Sequence, residues 1–90
     1  MREKLVEQHL LKRIKTLGGT AFKLDARLYS GIPDRLVCLE GVATFVELKA
    51  TGEKPRANQT AFHRRLLKMG FEVLIIDSKE GVDKLWPKIT

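Results

Sequence analysis

The sequence predicts an α/β domain in the order α-β-β-β-α-β-α, a mixed sheet flanked by helices. Three observations predict it. Apolar residues recur at helical spacing over 3–17 and 57–69, and each stretch ends in glycine. Two runs rich in Val, Leu and Phe flank Glu40-Gly41 as the arms of a β-hairpin. Residues 71–77 form a nearly continuous apolar run suited to a strand buried on both faces.

Taken in order, Leu5, Val6, Leu10, Leu11, Ile14 and Leu17 form one helical stripe, with Lys12, Arg13 and Lys15 expected on the opposite side. Gly18 and Gly19 end that helix as a left-handed cap does. Residues 21–25 are a short strand candidate, and 26–33, with Ser30, Gly31 and Pro33, read as a loop. Residues 34–39 and 42–50 are the hairpin arms, Gly41 taking the second turn position. After a polar loop over 51–56, a helix over 57–69 is expected to bury Phe62, Leu66 and Met69, and Gly70 caps it. The 71–77 strand and a short helix over 79–86, packed by Trp86 and stopped by Pro87, complete one expected domain, residues 1–90.

Composition bounds the function. The chain has 90 residues, with 17 Lys and Arg against 11 Asp and Glu, a formal net charge of +6. A chain of this length buries about two-thirds of the surface its unfolded form exposes, so it builds one core of modest stability. The lone Cys38 excludes an intrachain disulfide and a cysteine-rich zinc site, suits a reducing cytoplasm, and reads as a small buried hydrophobe. No apolar run approaches the roughly 18 residues that span a bilayer, and the polar N-terminal residues interrupt any signal-peptide core, so no membrane partner is expected. With 43% hydrophobic and 31% charged residues the composition is globular. The positive charge therefore sits on a folded body, and nucleic acid is the first partner to consider.

Chemistry concentrates at the open end of the hairpin. A two-residue turn at Glu40-Gly41 sets Asp34 directly opposite Glu47, and strand alternation sends Lys49 to the same face as Glu47. Facing carboxylates are costly unless something positive lies between them, and carboxylate oxygens are the ligands that Mg²⁺ or Mn²⁺ takes. Glu7 continues the apolar stripe of the first helix, three residues before Leu10, and is expected to face the sheet. Gln59, three residues before Phe62, does the same on the second long helix. His9 and His63 read as surface or rim residues.

The spacing of Glu7, Gly31-Ile32-Pro33-Asp34-Arg35, Phe45-Val46-Glu47-Leu48-Lys49 and Gln59 closely resembles the virus-type replication-repair nuclease (VRR-NUC) domain of the PD-(D/E)xK superfamily, over nearly the whole chain. The resemblance implies a restriction-endonuclease-like core and metal-dependent hydrolysis of phosphodiester bonds. It implies that Asp34, Glu47 and the backbone carbonyl of Leu48 hold Mg²⁺ or Mn²⁺, with Glu7 joining directly or through water. Lys49 is then expected to orient the attacking water or stabilise the transition state, and Gln59 to support the site or touch substrate. No small-molecule cofactor beyond the metal is implied.

Arg27, Tyr29, Arg35, Lys54, Arg56, Arg64 and Arg65 are expected to flank this acidic centre and meet nucleic-acid phosphates. The resulting expectation is a DNA endonuclease of replication, recombination or repair, acting as a homodimer on branched DNA such as a Holliday junction. Two competing readings are a non-catalytic basic module that binds nucleic acid or a replication partner, and a monomeric flap or single-strand nickase.

Overall fold

The computed structural model describes residues 1–87, so the last three residues of the expected 1–90 domain lie outside the described residues. The element order is the expected one: α1 (Glu3–Thr16), β1 (Thr20–Lys23), β2 (Arg35–Leu39), β3 (Val42–Leu48), α2 (Ala57–Lys68), β4 (Val73–Ile76) and α3 (Lys79–Leu85). The strands form one sheet in the order β1-β2-β3-β4. The β1–β2 and β2–β3 pairs are antiparallel and β3–β4 is parallel, so the sheet is mixed. Parallel pairing needs a crossover, and α2 supplies it.

The hairpin turn carries positive φ at both central residues, 51° at Glu40 and 79° at Gly41. That geometry matches the right-handed twist of the strands and fixes the register from Leu39 opposite Val42 to Arg35 opposite Val46. Register then decides which side chains share a face. Val37, Val46, Leu48 and Ile76 point to one side of the sheet, where they pack with Val6, Leu10 and Ile14 of α1 and Val82 of α3. All of these are at most 2% exposed, and each such burial is worth about 1.5–3 kcal/mol. Residues one step along each strand point to the other side, where α2 lies.

Several details depart from expectation. Arg13 is not on a solvated side: it is 7% exposed, with Nη1 donating to the Trp86 carbonyl and Nη2 to Asp83, each at 2.7 Å. The cause is α3, which packs beside α1 and covers that flank; His9 Nε2 also meets Asp83 there, at 2.6 Å. The apolar run at 71–77 is not buried on both faces. Among the described residues β4 lies at the edge of the sheet, paired with β3, and its Ile75 is 51% exposed, while Phe71, just before the strand, is 47% exposed. Met69 is 61% exposed because the helix ends at Lys68 and Met69, as its C-cap, leaves the buried stripe. Cys38 is half-buried on the hairpin. Among the described residues no helix is long and apolar enough to cross a membrane.

Candidate active site

The hairpin register carries Asp34 one step beyond the Arg35–Val46 pair and therefore opposite Glu47. Because Val46 and Leu48 face α1, Glu47 between them faces α2. Asp34 is pinned to β3 by its Oδ2, which accepts the Leu48 backbone N–H at 2.7 Å, and to the end of β1 by its carbonyl, which accepts from Leu24 N at 2.9 Å. The turn leading into it is held against the start of α2. Gly31 has φ of +86°, and a Cβ there would lie 2.2 Å from the Asn58 carbonyl oxygen. Only glycine satisfies both demands, and this is the physical content of the Gly-Ile-Pro-Asp string.

Helix α2 supplies the other wall. Gln59 and His63 are four residues apart, hence on one face, and each is 6% exposed. Gln59 Nε2 donates to Glu47 Oε2 at 3.1 Å, while Gln59 Oε1 accepts from Lys49 Nζ at 2.8 Å and from the Arg56 backbone N–H at 2.8 Å. One side chain thus links the carboxylate, the lysine and the first turn of the helix. Lys49, 4% exposed, lies 3.7 Å from Glu47 Oε2. Glu47 itself is 1% exposed. Burial, then the charge of Asp34 beside it, push the Glu47 carboxyl up to about 8 against the pull of Lys49.

His63, expected at the surface or rim, is instead buried, with Nε2 at 3.6 Å from Glu47 Oε1. Burial and the charge of Lys49 push its imidazole below the ordinary value, with Asp34 opposing. The signal that could have found it is its spacing of one helical turn from Gln59. Neither His63 Nε2 nor Glu47 Oε1 has a hydrogen-bond partner among the described residues.

Glu7 is placed by the opposite alternation. Arg35, not Asp34, shares the face of Val37 and points toward α1, and its Nη2 donates to Glu7 Oε2 at 3.1 Å while Nη1 donates to the Ala21 carbonyl at 3.1 Å. The Arg35 side chain is 13% exposed, so little of it faces solvent. Glu3, one turn earlier on α1, is the acidic residue the sequence reading missed. Partial desolvation, followed by the charge of Asp34 with smaller contributions from Glu53 and Glu7, raises its carboxyl, and Lys49 opposes them. Its spacing of four from Glu7 was the available signal.

Basic residues surround this centre at the surface. Lys54, Arg56, Arg64 and Arg65 are exposed, and Tyr29 is 62% exposed. The Arg65 guanidinium lies 5.4 Å from the centre of the Phe62 ring. Arg27 is exposed but forks onto Asp25, with Nη2 at 2.8 Å from Oδ2, so part of its charge is balanced locally. A cleft of about 530 Å³, lined by Lys23, Leu24, Asp25, Ala26, Arg27 and Asp34, opens beside the acidic centre.

Among the described residues no group of three or more His, Cys, Asp and Glu is gathered as a metal cage. The expected donors are Asp34, Glu47 and the Leu48 carbonyl, with Glu7 joining directly or through water. Glu7 is found paired with Arg35 on the α1 side, and the two carboxylates of Asp34 and Glu47 fit a hard cation. The hairpin register sets Asp34 opposite Glu47, and among the described residues the buried Glu47 Oε1 has no hydrogen-bond partner.

No protein-family model matches the sequence. The chain is 42% identical over 81 residues to "Putative nuclease p44" of Acyrthosiphon pisum secondary endosymbiont phage 1, an alignment covering 89% of this chain and 87% of that protein. A solved structure described as "VRR_NUC domain" superposes with a TM-score of 0.84 at 38% identity, covering 94% of this chain and 95% of that one.

Proposed function

The chain belongs to the VRR-NUC family, and on that premise we propose that it hydrolyses phosphodiester bonds of DNA with a divalent cation held between Asp34 and Glu47. One observation carries the proposal: a buried, unpartnered carboxylate oxygen of Glu47 beside Asp34, with Lys49 on the same face. A fold selected for stability alone would not bury that group.

Asp34, Glu47 and the Leu48 carbonyl hold the cation, Mg²⁺ or Mn²⁺, in this reading. When bound, it neutralises charge on the scissile phosphate and lowers the pKa of a water. Lys49, steered by Gln59, presents positive charge to a phosphate oxygen or the attacking water. Glu7 acts through Arg35, which it orients. The exposed Lys54, Arg56, Arg64 and Arg65, with Arg27 and Tyr29, supply phosphate contacts of low sequence preference. Residues 1–90 act as one nuclease unit, in the cytoplasm.

The finer reading is a homodimer that cuts branched DNA during replication, recombination or repair. The half-exposed Ile75 of β4 and Phe71, just before that strand, support an apolar association surface. The test is one assay of freshly purified protein with Mg²⁺ or Mn²⁺ on a four-way junction, a flap and a linear duplex, with sedimentation at micromolar concentration. The expected result is a dimer that cuts the junction fastest. A monomer that prefers flaps replaces this version with the nickase, and cleavage of none of them leaves the binding module.

A further inference from the structure

We propose that His63 is a positioning residue for Glu47, the side chain that turns Oε1 of the carboxylate toward a bound divalent cation. The proposal rests on the metal-dependent reading above and deepens it.

Glu47 offers two oxygens to α2. Oε2 receives the Gln59 amide at 3.1 Å, and Oε1 receives no hydrogen bond from the described residues. The group facing Oε1 is His63 Nε2, at 3.6 Å, which is itself unpartnered. Two buried polar atoms on different elements, each lacking a partner, therefore point at one another. Leaving such groups unpaired is costly, and an apolar side chain at position 63 would fill the space without that cost. Packing alone does not account for a histidine there.

The separation of 3.6 Å exceeds the ordinary upper limit of an N–H···O hydrogen bond by about 0.4 Å. A small rotation of either side chain closes it. A carboxylate oxygen has two lone pairs, so Oε1 can accept a ring N–H and still face a cation with the other. Hydrogen bonds of this kind on a ligating carboxylate fix its orientation, and losing one typically costs 10–100-fold in metal affinity. The placement suits the role. Gln59 and His63 lie one turn apart on the same rigid helix, so a single face of α2 grips both oxygens of one carboxylate.

The experiment is Mn²⁺ binding by titration calorimetry on the full chain, with thermal unfolding of each metal-free protein alongside. The proteins are wild type, His63→Ala, His63→Phe, His63→Gln and, as reference, Glu47→Gln. The expected result is that His63→Ala and His63→Phe bind Mn²⁺ about 10–100-fold more weakly. His63→Phe fills the site and unfolds no earlier than wild type, which separates the effect from loss of fold. His63→Gln, whose amide N–H reaches the same oxygen, recovers to within a few-fold of wild type. Wild-type affinity in a folded His63→Phe protein overturns the proposal, as does a Gln variant no better than Phe. A wild type that takes up no Mn²⁺, matching Glu47→Gln, overturns the metal reading as well, so the two failures are told apart.

Discussion

Gln59 donates to Glu47 Oε2 at 3.1 Å across the gap between α2 and β3, and the same amide accepts from Lys49 Nζ at 2.8 Å. The crossover helix is thereby tied to both charged residues of the site. Gln59→Ala leaves three groups without this partner: Glu47 Oε2, Lys49 Nζ and the Arg56 N–H. The expected loss is about 1–3 kcal/mol in denaturant unfolding, together with a fall in cleavage larger than the unfolded fraction explains. A Gln59→Ala protein of unchanged stability would mean that the three groups re-pair without it.

Gly31 and Gly52 both have positive φ, 86° and 82°, but only at Gly31 does an added Cβ collide with backbone. Gly52→Ala should cost about 1–2 kcal/mol, the left-handed strain of one residue. Gly31→Ala should cost clearly more, because the Asn58 carbonyl at 2.2 Å forces the Pro33-Asp34 turn away from α2. Thermal unfolding of the two variants side by side measures the difference. Equal losses would show that the close approach carries no weight.

The raised Glu47 carboxyl makes stability depend on pH in the metal-free protein. Its value rises from 4.5 to about 8 on folding, so between those values the folded state holds a proton that the unfolded state releases. Stability therefore falls as pH rises through that window and levels off above about 8. Glu47→Gln removes the effect. In chelator, the melting temperature of Glu47→Gln should exceed that of wild type at pH 8, with the gap closing toward pH 4.5. A gap independent of pH would mean that Glu47 titrates normally.

Glu7 and Arg35 are partners, at 3.1 Å, on the α1 side of the sheet. Glu7→Gln weakens a charged hydrogen bond to a largely buried guanidinium. Since the Glu7 side chain is 32% exposed, the expected cost is about 1–2 kcal/mol, the low end for a charged pair. Unfolding in urea tests it. No change would place Glu7 outside the structural frame of the site.

The hairpin and its register were legible because a two-residue turn leaves no freedom in pairing: Asp34 had to face Glu47 once Glu40-Gly41 was the turn. Lys49 and Gln59 followed from strand and helix periods. What escaped were relations between elements that share no local period. Arg13 looked solvated because nothing on α1 announces that α3 packs beside it. The apolar 71–77 run could not reveal that β4 would lie at the edge of the sheet. His63 looked like a rim residue because a helix period says which residues share a face, and only the docking of α2 over Glu47 says that the face is buried.

The central claim is that Asp34 and Glu47 hold a cation which, with Lys49, cuts DNA. The most direct measurement is cleavage of a four-way junction by wild type, Asp34→Ala, Glu47→Ala and Lys49→Ala, with Mg²⁺, with Mn²⁺ and with chelator, after circular dichroism has established that each is folded. Wild type should cut with either cation and not in chelator, and each variant should lose about 100-fold or more. Cleavage that survives chelator, or a folded Asp34→Ala or Glu47→Ala protein that cuts at the wild-type rate, would contradict it.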